Sequence, residues 1–200
     1  MYNNSQTIIK YIDEVKTILA TLQTTKISQV VSVLEEAREK GRGIYTFGNG
    51  GSAANASHFA SDLAKGAICP GQNRLKAFSL NSNSSLISAW ANDLGYENVF
   101  AEQLENFIEK DDIAIGISGS GNSLNVLNGI KIAKNIGAIT IGFTGFNGGR
   151  LKELVDIDVI VPSHNMEQVE DIHLLLSHII ATCLRSSTLT DLAPITLYRR

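Results

Sequence analysis

Only two cysteines occur in this chain, Cys69 and Cys183, with no CxxC pairing to suggest a redox or zinc-ribbon motif and no disulfide framework. Both read as packing residues. No apolar run approaches the ~18 residues a membrane span needs, and the opening Met1-Tyr-Asn-Asn-Ser is polar rather than leader-like. A reducing cytoplasm and no membrane contact are therefore expected. Basic excess is also missing. Seventeen Lys and Arg stand against 20 Asp and Glu, a net charge of −3, and no basic cluster follows an aromatic platform. The composition offers nucleic acid no electrostatic footing. What remains, 44% hydrophobic and 18% charged residues, is the make-up of an ordinary soluble globular protein. The length suits one sizeable α/β domain with a few helices outside it. No repeat, low-complexity tract or linker divides it.

Residues 5–41 contain no proline and carry apolar positions at helical spacing: Ile8, Ile12, Val15, Ile18, Leu19 and Leu22, then Ile27, Val30, Val31, Leu34 and Ala37. They read as two helices, with the first apolar stripe offered to a sheet layer or to another subunit. After Lys40-Gly41-Arg42-Gly43 the pattern alternates. Short β-branched strands are predicted at 43–48, 75–80, 112–117, 138–143 and 157–161, apolar on both faces as in a buried parallel sheet. Helices are predicted near 52–65, 84–92, 97–108, 123–136, 148–155 and 166–184, with a loose tail over 186–200. Alternation with short connections implies a three-layer, doubly wound parallel five-stranded sheet over 42–185, with N-terminal helices used in oligomerisation.

Two of the strands end in glycine- and serine-rich turns that open onto helices: Gly48-Asn49-Gly50-Gly51-Ser52, and Ser118-Gly119-Ser120-Gly121-Asn122-Ser123. Glycines let backbone N–H groups approach an anion, the helix N-terminus adds its positive end, and serine hydroxyls donate without charge. Ser123 is also a suitable N-cap. In a doubly wound sheet, ligands bind beyond the carboxyl ends of the strands, so the two turns can share one crevice. Neither contains the lysine of a Walker A loop. Gly48-Asn-Gly-Gly-Ser-Ala53 lacks the third glycine of a dinucleotide fingerprint, and Leu80-Asn81-Ser82 supplies no ribose-binding acid. No nucleotide cofactor is expected. A single terminal phosphate on a small molecule fits better.

At these residues the chain resembles the sugar isomerase (SIS) domain family, and within it the phosphoheptose isomerase branch. The likeness runs through Gly48-Asn-Gly-Gly-Ser-Ala-Ala54, His58-Phe-Ala60, Ala91-Asn92-Asp93-Leu-Gly-Tyr96, Gly116-Ile-Ser-Gly-Ser-Gly-Asn-Ser123, Val161-Pro162 and Ile172-His173…His178. The resemblance implies a flavodoxin-like sheet, a homotetramer, and a phosphorylated sugar bound by Asn49, Gly50, Gly51, Ser52, Asn92, Asp93, Ser118, Gly119, Ser120, Ser123 and Glu170. It implies aldose–ketose isomerisation through an enediol, with Asp62 at the position of the family's base and His178 as the acid. It also implies a possible divalent metal, Zn2+, near His58, Asp62, Glu170 and His178.

Independently of that likeness, His58 and Asp62 stand four apart and face one way on a helix. Glu170 and His178 stand about 80° apart around theirs. Two imidazoles and two carboxylates suit zinc chemically. His173 has a packing role and a supporting role open to it. Three departures accompany the resemblance. Asp62 replaces a glutamate, Glu170 replaces a glutamine, and Asp62-Leu-Ala-Lys65-Gly66 lacks the family's arginine, leaving Lys65 or Arg74 as candidate cations. A non-catalytic sugar-phosphate-binding or replication-initiator-binding regulator is the alternative, since it would keep the serine loops and dispense with the acid and base.

Overall fold

In the computed structural model, which describes residues 4–186, two helices lead the chain: α1 (Asn4–Ala20) and α2 (Thr24–Lys40). Gly41 ends α2 in the left-handed conformation, φ 65°, and its N–H caps Arg38 O. Strands β1 (Gly43–Gly48), β2 (Lys76–Ser79), β3 (Ile113–Ser118), β4 (Ile139–Thr144) and β5 (Ile157–Ile160) then form one sheet in the order β2-β1-β3-β4-β5. Every neighbouring pair is parallel. Between the strands run α3 (Gly51–Ser61), α4 (Ser84–Leu94), α5 (Ala101–Phe107), α6 (Leu124–Ile136) and α7 (Leu151–Leu154), and α8 (Met166–Ser186) closes the described chain. Among the described residues no helix is long and apolar enough to cross a membrane. The loose tail expected at 186–200 lies, apart from Ser186, outside the described residues.

Strand alternation sorts the core into two layers. Ile113, Ile115, Ile117, Ile141 and Phe143 face α2, α3 and α8, where Leu34, Phe59, Ile172 and Leu176 meet them. Ala114 and Phe47 face the other way, toward Leu104, Leu127 and Ile130 of α5 and α6. The strand order reverses between β1 and β3, since the chain passes from β1 outward to β2 at one edge and from β3 toward β4 and β5 at the other. That switch point is where a doubly wound sheet opens a crevice, and it is β1 and β3 that end in the two glycine-serine turns.

Three details depart from the sequence expectation. Burial on both faces holds for β3, whereas β2 alternates exposed and half-buried residues and leaves Phe78 58% exposed. The reason is topological, because β2 is an edge strand. The helix expected over 97–108 divides into a 3-10 turn at Tyr96–Asn98 and α5. The helix expected at 148–155 shrinks to α7, because Gly148 and Gly149 both take positive φ (91° and 54°) and hold the chain out of helix until Leu151.

The first apolar stripe is only partly used. On α1 just Ile18 is buried, while Ile8, Ile9 and Ile12 are 58%, 59% and 47% exposed. The helix is tied down by polar contacts to α8: Tyr11 Oη donates to Asp171 Oδ2 at 2.6 Å, and Gln168 Nε2 to Glu14 Oε2 at 2.7 Å. Helix α4 buries none of its residues despite Leu86, Ile87 and Trp90.

Candidate active site

Gly50 takes φ 54° and ψ −123°, a conformation in which an L side chain is strained, and this tight turn starts α3 at Gly51. The turn is held from three sides. Asn81 closes the end of β1 with its amide, accepting from Gly48 N at 3.2 Å and donating to Gly48 O at 2.9 Å, as a further strand residue would. Asn49 and Asn125 exchange reciprocal amide bonds of 2.7 and 2.8 Å, and Tyr96 Oη donates to Asn49 Oδ1 at 3.0 Å. The Asn–Asn pair latches the β1 turn to the first turn of α6, so both helix N-termini keep a common aim.

Between these turns lies a cavity of about 230 Å³ lined by Asn49, Gly50, Gly51, Ser52, Ser118, Gly119, Ser120 and Ser123, with Ile117, Met166 and Glu170. Ser52 and Ser118 are buried. Ser118 Oγ donates to Ser123 Oγ at 3.1 Å, and Ser123, although at the N-cap position of α6, makes no side-chain cap bond. Its hydroxyl thus faces the cavity network rather than the helix end. The leftover N–H groups at the starts of α3 and α6 and the serine hydroxyls supply neutral donors. Among the described residues no lysine or arginine lines the cavity. It falls below the ~300 Å³ typical of small-molecule pockets, a size suited to a phosphate with the rest of a ligand extending outside.

One carboxylate intrudes. Glu170, half-buried on α8, lies so close to Gly51 that a Cβ there would collide with its carboxylate, and Glu170 O accepts from Asn55 Nδ2 at 2.9 Å. It belongs to the phosphate-sized cavity and is not within the second cluster described next.

That cluster is built by His58, Asp62 and His178. His58 and Asp62 lie on one face where α3 passes into a π-turn (Asp62–Gly66), and His178 approaches from α8. His58 Nε2 lies 2.8 Å from His178 Nε2, and Asp62 Oδ2 stands 3.2 and 3.6 Å from these two nitrogens. Asp62 Oδ2 is buried and accepts no directed hydrogen bond. Three donor atoms at 2.8–3.6 Å from one another match the edges of a ligand tetrahedron, about 3.3–3.4 Å for bonds of about 2.0–2.1 Å. Two imidazoles and one carboxylate thus fit a divalent cation with a position left open, and a buried oxygen without a donor is consistent with that use. The fourth group counted from sequence, Glu170, is placed elsewhere.

Asn92 and Asp93, also expected at the site, are exposed on α4 and pair with each other (Asn92 Nδ2 to Asp93 Oδ1, 2.8 Å). They do not line the cavity within one chain. His173 resolves to packing: it is fully buried, rests on Phe143 with ring centroids 6.0 Å apart, and its Nε2 lies 3.1 Å from Thr144 O. Burial pushes its pKa down to about 4, so the ring is neutral and its Nε2–H donates to that carbonyl. Sequence reasoning missed Asn125, Asn81, Tyr96 and Met166. Asn81 and Asn125 had a readable signal, an amide directly after a strand or inside a helix's first turn.

Five parallel strands with an anion crevice at the switch point and a two-histidine, one-carboxylate cluster on the adjoining helices define a sugar-phosphate-handling α/β protein. The SIS domain matches residues 10–145. The phosphoheptose isomerase of Aliarcobacter butzleri is 40% identical over 177 residues, covering 83% of this chain and 92% of that protein. That of Aquifex aeolicus is 38% identical over 167 residues, covering 84% and 87%. The solved phosphoheptose isomerase of Neisseria gonorrhoeae superimposes with a TM-score of 0.84 at 26% identity, over 91% of this chain and 98% of that one. The chain belongs to the SIS-domain family, in its phosphoheptose isomerase branch.

Proposed function

We propose that this protein interconverts sedoheptulose 7-phosphate and D-glycero-D-manno-heptose 7-phosphate through an enediol, in the cytoplasm, as a homotetramer. The observation that carries the reaction is the arrangement along α3. Ser52 at its first turn faces the phosphate-sized cavity, and His58, six residues on, belongs to the acid–base cluster. Six helical residues rise about 9 Å, a reach that suits a seven-carbon chain with phosphate at one end and carbonyl at the other.

The neutral donors of Ser52, Ser118, Ser120 and Ser123 bind the phosphate and orient the chain. Asp62 takes the proton from the carbon beside the carbonyl while His178 gives one to the carbonyl oxygen. The enediol then collapses as Asp62 returns its proton to the former carbonyl carbon and His178 takes back the proton of the other enediol hydroxyl. Aspartate is one methylene shorter than the glutamate usual in the family, and the close approach of α8 brings His178 to it. Zn2+ or a similar ion held by His58, Asp62 and His178 would polarise the carbonyl in place of the His178 proton, since His178 Nε2 would then be a ligand. Asp62 has two carboxylate oxygens, so holding a cation with one leaves the other for the proton.

The tetramer is supported by surfaces a monomer leaves uncovered, namely Ile8, Ile9 and Ile12 on α1 and the outer face of α4 with Leu94. Asn92 and Asp93 ride on α4 and would reach a substrate only in such an assembly.

The test is turnover of sedoheptulose 7-phosphate by purified protein, with light scattering for oligomeric state. Conversion that is lost in Asp62→Asn and His178→Ala is the expected result. Absence of turnover across C6 and C7 ketose phosphates, with and without Zn2+, refutes the enzyme. Thermal stabilisation by sugar phosphates without conversion would instead identify a binding protein.

A further inference from the structure

The three atoms of the acid–base cluster come from two helical segments, and their spacing depends on how those segments are clamped. One segment is α3 with its π-turn. The N–H of Ala67 bonds to Asp62 O at 2.7 Å, and the widened turn then ends, leaving its last carbonyls without helical partners. The other is α8, whose last described turn carries Leu184 O.

A single buried side chain joins the two ends. Arg38 of α2 is 4% exposed. Its Nη2 donates to Ala67 O at 2.9 Å and its Nη1 to Leu184 O at 2.9 Å, with Gln72 Oε1 as a further acceptor on Nη1. These acceptors are all uncharged oxygens, and Ala67 O sits at the end of the π-turn, where a cation is favoured by the backbone dipoles. Arg185 adds a second clamp, donating from α8 to Gly66 O at 3.2 Å.

We infer that Arg38 is a positioning residue: its planar guanidinium sets the separation of the π-turn and α8, and so the spacing of Asp62 and His178. The inference rests on the proposed acid–base reading of that pair. The lever arms are short and stiff. Asp62 lies five residues before Ala67, and His178 six before Leu184. Both stretches are helical for most of their length, so a change at the clamp passes to the cluster with little slack. A fixed fork can hold two carbonyls from different helices at a set distance, whereas a lysine ammonium is a point donor on a flexible stem. The phosphate cavity uses the opposite, N-terminal ends of α3 and α8, at Ser52 and Glu170, so the substitution should reach it more weakly than it reaches the cluster.

The variants are Arg38→Lys and Arg185→Lys, compared with Lys26→Met. The last removes the Lys26–Asp158 pair (2.6 Å), a contact outside the site, as a control for general destabilisation. Two readouts are taken: kcat and KM for sedoheptulose 7-phosphate, and, independent of turnover, Co2+ affinity by chelator competition. Misplacement of reacting groups by ~1 Å costs up to about 10²-fold in rate. The expected result for Arg38→Lys is therefore a kcat lower by about 10–100-fold with KM within about threefold. Co2+ affinity should weaken by about tenfold or more, as for lost support of metal ligands. Arg185→Lys should show the same pattern more weakly, and it carries the test if Arg38→Lys fails to fold. Lys26→Met should change neither readout.

Wild-type kcat and Co2+ affinity in folded clamp variants, or a change confined to KM, overturns the inference. If the wild type turns over no sugar phosphate yet Co2+ affinity still falls in the variants, the isomerase reading fails and the clamp stands. A wild type that neither turns over substrate nor binds Co2+ removes both.

Discussion

His173 makes the protein acid-sensitive in a window where few other side chains titrate. Buried against Phe143 and donating to Thr144 O, it has its pKa lowered by burial from 6.5 to about 4. The unfolded chain therefore binds the extra proton first. Stability is fully present above about pH 6.5 and is lost as pH falls toward about 4, below which the native ring titrates as well. At pH 5 the unfolded ring is almost wholly protonated and the native ring only about one-tenth, so falling from pH 7 to pH 5 costs about 2 kcal/mol from this group alone. For a chain of this size that is roughly 4–8 °C in melting temperature. The assay is urea unfolding at pH 7 and pH 5 at fixed protein concentration, since assembly would otherwise contribute. The comparison is His173→Gln, whose amide places a donor near the Nε2 position and does not titrate. The variant should lose about 2 kcal/mol less than wild type over that interval. Equal losses in the two proteins would refute the assignment of a neutral, buried His173.

Three further outcomes follow from the site. Gly51→Ala drives a Cβ into the Glu170 carboxylate, so KM for a sugar phosphate should change by about tenfold or more and urea unfolding should show a loss of about 1–3 kcal/mol, the usual cost of overpacking; an unchanged KM would mean that Glu170 and this turn do not meet the substrate. Asn125→Ala breaks the reciprocal bonds to Asn49; unfolding should report a loss of about 1–3 kcal/mol and steady-state kinetics a raised KM, and an unchanged KM would mean the latch does not serve the phosphate turn. Because the cavity is lined by neutral donors and one carboxylate rather than by lysine or arginine, KM should vary less than about threefold between low and high NaCl, in contrast to a charge-steered site; a steep rise with salt would point to an unrecognised cation.

The legible part of this protein was what local chemistry encodes. Strand–glycine–helix junctions at Gly48 and Ser118 announce tight turns with backbone N–H groups left over because few other residues permit that backbone, and short β-branched segments apolar on both faces, set between helical ones, announce a parallel sheet. His58 and Asp62 could be paired from a four-residue spacing alone, since one helix carries both. Harder to read were contacts between distant segments. Glu170 and His178 share α8, yet one lies against Gly51 and the other joins His58, a division that the angle between α3 and α8 sets. Ser123 has the chemistry of an N-cap, but the nearby Ser118 hydroxyl engages it instead. The exposure of β2 follows from its edge place in the sheet, which nothing in Lys76–Ser79 itself declares.

The order of residues alone was enough for the phosphate-sized turns, the neutral character of their donors and the exclusion of a Walker A lysine, because backbone freedom and side-chain charge are properties of individual residues. Tertiary structure alone decided which groups meet: Asp62 with two imidazoles, Glu170 with the phosphate turn, and Arg38 with the ends of two helical segments. Those meetings depend on helix packing across the sheet, where a displacement of one ångström separates a working cluster from three unrelated side chains.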